Sequence, residues 1–345
     1  MGGKYKLIII LCLISTTLLA FTICLIYYLY RRKPTKNEES KEMGLEGYND
    51  SKENEDELEE EIEGLISFSG GENLTIHDIL DAPGEVIGKS SYGTLYRARF
   101  EKTNAVALLR FLRPTCTGTR VKDIIDVIHS LGVIRHPNLV PLHAFYSGPR
   151  GEKLLVHSFI SHGTLAMFLR GRHGESRKWN IMYRISLGIV KGLDHLHAGL
   201  QKPVIHGNLK SKNILLDGNY QPYVSDFGLH LLLNPTTSQE MLEASAAQGY
   251  KAPELIKMKD ASKETDIYSL GVILLEILPG KEFIKEKASF NQDSHLPNPM
   301  KKTATDHRVS DMFQLAMACC SPSPFLRPDI KQVLKKLEQV GNENS

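Results

Sequence analysis

Residues 203–217 read PVIHGNLKSKNILLD; YVSDFGLH follows at 223–230 and GYKAPEL at 249–255. Short apolar runs alternate here with isolated polar and ionisable side chains: His206, Asn208, Lys210, Asn213, Asp226, Glu254. Such spacing places few, well-separated functional groups on a hydrophobic frame. One position matters most. Asn208 follows Gly207 between His206 and Leu209, and its amide cannot take up a proton near neutral pH as a carboxylate there would.

Outward from these blocks, the chain has 345 residues, enough for one large domain or two ordinary ones. Its apolar share of 41% is that of a globular protein with a sizeable core. The formal net charge of +2 hides an asymmetry: residues 34–64 carry thirteen Asp and Glu against three Lys, so the remainder is basic. The five cysteines (Cys12, Cys24, Cys116, Cys319, Cys320) show no C-x-x-C and no paired framework. That points to a reducing compartment without disulfides or a zinc site. The His residues show no ligand spacing either, and no nucleic-acid partner is expected.

Leu7 to Tyr30 is an uncharged run of twenty-four residues, LIIILCLISTTLLAFTICLIYYLY. At about 1.5 Å per residue it spans about 30 Å of hydrocarbon with some tilt. A cleaved signal peptide would have a shorter apolar region ending in small residues, whereas this run ends in aromatics. Lys4 and Lys6 precede it; Arg31, Arg32, Lys33 and Lys36 follow it. The positive-inside rule then places everything after the span in the cytoplasm, and residues 1–6 outside it, with no ectodomain. MGGKYK does not complete a myristoylation motif, since Lys6 stands where Ser or Thr is wanted. Residues 31–73 read as a basic stop followed by an acidic, disordered linker.

From Leu74 to about residue 342 the pattern is globular. EVIGKSSYGTLYRARF, NAVALLRFL, LVPLHAFYS and EKLLVHSFI read as strands, interrupted by RVKDIIDVIHSLG with apolar residues at helical spacing. The second half is helical: WNIMYRISLGIVKGLDHLH is amphipathic, DIYSLGVILLEIL is apolar nearly all round, and DIKQVLKKLEQV carries one apolar stripe. The expected class is α+β: a small β-rich lobe, then a large helical lobe, after one N-terminal transmembrane helix.

The three blocks quoted first match, in order and spacing, the catalytic loop, the D-F-G loop and the A-P-E segment of protein kinases. With RHPNLVPLHAFY and HGNLKSKNILLD, residues 74–342 resemble the plant leucine-rich-repeat receptor-like kinases, in a kinase-like branch lacking an ectodomain. The fold this implies is the bilobal protein-kinase fold. Gly88, Ser90 and Gly93 resemble the glycine-rich loop over the nucleotide phosphates, with Ser90 at the middle glycine. The resemblance implies that Asp226 binds magnesium, Asn213 a second metal ion, and Lys210 the transferred phosphate. Asp266 continues the pattern, and Glu254 would pair with Arg327 to brace the large lobe.

Three departures set this chain apart from active members. Asn208 replaces the catalytic Asp, whose general-base role is worth roughly 10²–10⁴-fold. Counted without gaps from Tyr96, Leu109 falls on the strand lysine that holds the phosphates. Arg110, one residue on, would then turn to the opposite face. Counted back from His136, the partner Glu falls on Val127. Gly207 also removes the Arg that reaches a phosphorylated activation loop. Residues 279–308, short and rich in Lys, Pro and Asn, are expected to be loop, which removes the family's substrate-docking helix.

These losses together predict a membrane-anchored pseudokinase, a single-pass protein of the plasma membrane acting as scaffold or allosteric partner for receptor-like kinases or other signalling proteins. No cofactor is required, and ATP with Mg2+ is expected to bind weakly. The alternatives are a weakly active Ser/Thr kinase and a switch that binds ATP through Asp226 and Asn213 without transferring phosphate.

Overall fold

The computed structural model describes residues 64–117, 121–171, 178–256, 260–278 and 304–342. The apolar run Leu7–Tyr30, the linker up to residue 63 and residues 279–303 lie outside the described residues. Among the described residues no helix is long and apolar enough to cross a membrane.

Strand formation begins earlier than composition suggests. β1 (Gly64–Ser67) pairs antiparallel with β5 (Leu142–Ser147), with Leu65 opposite Tyr146 and Ile66 opposite Phe145. Residues 64–73, expected to close the disordered linker, are therefore structured. The acidic run stops at Glu63, and Gly64 is followed by the apolar Leu65 and Ile66. Strand alternation sends Leu65 and Ile66 to clusters on opposite sheet faces. Arg135 of the RHPNL stretch secures the segment by donating to the Ser69 carbonyl at 2.9 Å.

The first lobe is a six-stranded antiparallel sheet in the order β1-β5-β6-β4-β3-β2, with β2 at Gly84–Lys89, β3 at Gly93–Arg99, β4 at Val106–Leu112 and β6 at Lys153–Ser158. Helix α1 (Ile76–Leu80) starts at a capping box in which Thr75 and Asp78 each accept the other's backbone N–H. It lays Ile79 against Leu109, Ala98 and Phe100 on one face of the sheet. Helix α2 (Val121–Gly132) covers the other face with Ile124 and Ile128, beside Leu112, Phe145 and Leu155.

The second lobe is built around two buried helices. α4 (Trp179–Ala198) follows the short α3 (Leu165–Arg170) and approaches the β7–β8 hairpin (Ile214–Leu216, Pro222–Val224) closely. At Gly188 a Cβ would lie 2.4 Å from the Pro222 ring, so only glycine permits that approach. α6 (Lys263–Ile277) is started by a Ser262–Thr265 capping box and buries Ile267, Leu270, Ile273 and Leu274. Between them in sequence lies α5 (Pro235–Ala246).

α7 (Ala304–Cys319) and α8 (Ile330–Asn342) close the lobe. Residues 304–308, expected to be loop, are helical. Helix α7 continues to Met312, Leu315, Ala316 and Cys319, which are buried in the core, and this packing draws the preceding turn into the helix despite its polar sequence.

Candidate functional site

Between the lobes lies a cleft of about 1050 Å3, at the upper end of the range for ligand sites. β2, β3 and β4 roof it, residues 159–164 form its back, and the segments around Lys210 and Asp226 form its floor.

The roof corrects the expected register of β4. Alternation puts Ala107 and Leu109 on one face, and Leu109 packs with Ile79, Ala98, Phe100 and Val156, away from the cleft. Leu108 and Arg110 point the other way and line it. Arg110 donates through Nη2 to Asp226 Oδ2 at 2.7 Å, with both side chains about nine-tenths buried. Arg110 therefore stands where the family's lysine is expected, and Leu109 belongs to the outer cluster. The ungapped count ran through the turn at Glu101–Thr103, which can absorb a residue without disturbing either strand. The rule that a one-residue slip reverses faces holds; its anchor was displaced.

The glycine-rich loop closes tightly on itself. Ser90 donates to the Gly93 carbonyl through N at 2.9 Å and through Oγ at 3.1 Å. Gly93 is required by its neighbour strand, because a Cβ there would lie 2.3 Å from the Phe111 carbonyl oxygen. At Gly88 a Cβ would meet only Leu95 at an ordinary 3.7 Å. Tyr92, at the loop's end, is buried against Met241 of α5 and the cluster under the sheet.

On the floor, Asn208 is 4% exposed. Its Oδ1 accepts a 2.6 Å hydrogen bond from Ser245 Oγ, its carbonyl accepts from Asn213 Nδ2 at 2.9 Å, and its own Nδ2 has no partner among the described residues. The activation segment thus covers the base position: α5 drops Ser245 onto it and Met241 in front of it. Asn234 caps α5 by accepting from Thr237 N. It also ties the segment to the upper lobe, donating through N to the Cys116 carbonyl at 2.9 Å and through Nδ2 to the Thr115 carbonyl at 2.8 Å.

Asp266 holds the loop from beneath. Its carboxylate accepts the backbone N–H groups of His206 (2.7 Å) and Gly207 (3.0 Å) and His197 Nε2 (2.9 Å). Burial alone would raise its pKa; the hydrogen bond and charge of His197 and the His206 N–H outweigh it and hold the carboxyl below its ordinary range. Gly207 has φ 73°, and a Cβ there would lie 2.3 Å from the His230 ring, so no larger side chain fits. Arg327 grips Glu254 with two N–H groups at 2.5 and 2.8 Å. Lys210 lines the cleft; burial pushes its pKa down, while the charge of Asp226 acts against that. Val127 is half-buried and packs against clusters of both lobes.

These residues form no ready-made site for a resident magnesium ion. A hard cation takes carboxylate, carbonyl and water oxygens, and the Asp226 carboxylate is here paired with a buried guanidinium. Asn213 donates its amide N–H to the Asn208 carbonyl, so its Oδ1 would offer a neutral oxygen and no charge. Among the described residues no three His, Cys, Asp or Glu side chains gather at one point.

Arg110, Ser245, Met241 and Tyr92 were not read from the sequence as parts of the site. β4 is buried on both faces, so its composition carries no alternation to say which residues face the cleft. The other three arrive through the fold of the activation segment.

Residues 82–337 match the family model for protein tyrosine and serine/threonine kinases. The kinase-like protein TMKL1 of Arabidopsis thaliana is 37% identical over 91% of this chain and 49% of its own length. The Arabidopsis thaliana "Probable inactive receptor kinase At1g48480" is 34% identical over 80% of this chain and 44% of its own. The chain thus spans about half the length of these relatives. Two solved structures share the fold. The maize SIRK1 kinase domain bound to AMP-PNP has a TM-score of 0.69 at 27% identity, covering 81% of this chain and all of that one. The pseudokinase domain of BIR2, an immune regulator of the RLK/Pelle family, has a TM-score of 0.66 at 26% identity, covering 84% and 94%.

Proposed function

The chain belongs to the protein tyrosine and serine/threonine kinase family, with receptor-like kinases among its relatives, and we propose that it is a membrane-anchored pseudokinase that works through partners. The observation that carries this reading is the Arg110–Asp226 pair at 2.7 Å, beside an amide at the base position. Phosphoryl transfer depends almost wholly on positioning and charge stabilisation. Here the acid that would hold a metal is bound to an arginine, and the residue that would receive the hydroxyl proton is an asparagine sealed under Ser245.

Such a domain acts by shape: as a scaffold or allosteric partner for receptor-like kinases. A relative of similar fold, the BIR2 pseudokinase domain, belongs to an immune regulator of that family. The uncharged run Leu7–Tyr30, followed by a basic cluster, supports anchoring in the plasma membrane with the folded domain on the cytoplasmic side. The decisive experiment is single-turnover phosphotransfer by the full chain with ATP and Mg2+. No transfer above background is expected, and clear transfer that Asp226→Ala abolishes would overturn the reading.

A further inference from the structure

Lys153, the first residue of β6, is 7% exposed, and the acceptors its ammonium has among the described residues are both neutral. They are Thr117 Oγ1 at 3.1 Å and, more distantly, the Gly151 carbonyl at 3.4 Å. No carboxylate among the described residues pairs with it, and burial pushes its pKa down. A buried charge is costly unless it is paired as well as hydrogen-bonded. Arg113 and Arg150, exposed at the same end of the sheet, likewise have no carboxylate partner among the described residues. Of residues 148–153 only Glu152 is acidic, and it accepts the Arg150 backbone N–H at 2.8 Å. This end of the sheet therefore carries an excess of positive charge.

The strand register brings a source of carboxylates to the same place. Lys153 stands opposite Leu112 on one side and Ser147 on the other, and Ser147 stands opposite Gly64. One row thus crosses the sheet from β4 to β1. Gly64 lies two strands from Lys153, about 10 Å between Cα atoms at about 4.8 Å per strand. The nine residues before it, 55–63, hold seven carboxylates and no cation. Nine residues reach up to about 30 Å, so several of these acids come within range of the lysine.

We propose that residues 55–63 dock on this end of the sheet, one of their carboxylates pairing with the buried Lys153 and others facing Arg113 and Arg150. The contact lies within one chain and is independent of whether the domain transfers phosphate. It also reaches the activation segment. Lys153 donates to Thr117, Thr117 bridges to Leu233, and the adjoining Thr115 and Cys116 carbonyls hold Asn234 at the head of α5. A carboxylate that fixes the ammonium therefore steadies the strap from which α5 hangs.

The test is zero-length cross-linking of the full chain with a water-soluble carbodiimide, which joins a carboxylate only to an amine in direct contact, followed by peptide mapping. A cross-link between Lys153 and an acid of residues 55–63 is expected, formed within one chain when isotopically light and heavy protein are mixed. Light-to-heavy cross-links at Lys153 would assign the site to a second copy, and acidic peptides joined only to other lysines would remove the contact. Either result overturns the proposal. Amide exchange reads the same contact independently. Replacing all seven acids of residues 55–63 by Gln or Asn should quicken exchange in β1 by about tenfold, the loss expected for one charge-assisted contact, and quicken α5 as well. In a Lys153→Gln background the same replacement should change exchange little, since the partner is already gone. Unchanged exchange in β1 or α5, or an equal quickening in both backgrounds, would sink the idea. If Lys153→Gln does not fold, the acid-depleted chain and the cross-link decide alone.

Discussion

Replacing Leu109 by Lys separates the two registers in which β4 can be read. Leu109 is 5% exposed among Ile79, Ala98 and Phe100, so the ammonium would be buried without a partner. The expected cost is at least about 3 kcal/mol, seen as an earlier midpoint in chemical denaturation, with no gain in nucleotide affinity. A midpoint within error of wild type would mean that residue 109 faces the cleft. The same geometry decides how reversal would have to be attempted. Asn208→Asp alone should leave phosphotransfer undetectable in single-turnover assays, because Asp226 stays bound to Arg110 and Ser245 still covers the new carboxylate. Adding Arg110→Lys and Val127→Glu supplies the phosphate contact and the ion pair together. The triple variant is the one in which activity should first appear, if the half-buried site at 127 accepts a charge.

At the scale of the element, α5 turns the activation segment into a plug. Its N-cap, Asn234, also links it to Thr115 and Cys116, so Asn234→Ala removes both the cap and a tether. The cap alone is worth about 1 kcal/mol. Amide exchange over residues 235–246 should quicken in this variant more than exchange in α6; equal protection in the two proteins would show that the helix is held by Met241 and Ser245 alone. Four hydroxyls of this segment, Thr236, Thr237, Ser238 and Ser245, divide by burial. Thr237 and Ser245 are buried, whereas Thr236 is exposed and Ser238 partly so. If active kinases phosphorylate this segment in trans, phosphopeptide mapping should find Thr236 or Ser238 and neither buried residue. Modification of Ser245 in the folded protein would show that the plug opens.

The whole molecule should lose stability in acid, and the sign follows from its buried and half-buried histidines. Burial pushes the pKa of His206, His230 and His136 down, and that of His157 down to about 4 from 6.5. His157 is therefore neutral and donates through Nδ1 to the Pro141 carbonyl at 3.2 Å. Below pH 6.5 the unfolded chain binds protons that the folded chain refuses, so stability falls as pH drops from about 6.5 towards about 4. The lowered carboxyls of Asp266 and Glu254 act in the same direction at still lower pH: their contribution is present above the unfolded carboxylate pKa and lost as pH falls through the folded one. Thermal midpoints should decline over that window, and less steeply in His157→Gln; a flat profile would contradict the burial of these rings. Topology has its own test. Asn73, in the sequon Asn73-Leu74-Thr75, is exposed, so a lumenal domain would be open to glycosylation there. Glycosidase treatment of the full-length protein is expected to leave its gel mobility unchanged.

Local chemistry alone predicted the order of lobes and the helices with clear apolar faces, and the motif match placed Asn208 where the family it resembles has its catalytic Asp. The blocks around Asn208, Asp226 and Glu254 lie in short segments whose register a motif sets directly, and Asp266 and Arg327 follow at readable distances. Where a residue's role depended on a partner distant in the chain, the tertiary structure decided it. Leu65 and Ile66 became a strand because β5 presented an edge and both sheet faces offered apolar contacts. Arg110 reached Asp226, 116 residues away, because β4 is covered on both sides and only its pairing with β3 and β6 assigns its faces. Ser245 met Asn208 because the activation segment had an upper-lobe anchor at Thr115 and Cys116 and a pocket for Met241. Contacts of that range are governed by which surfaces meet after folding, and no periodicity within either segment encodes them.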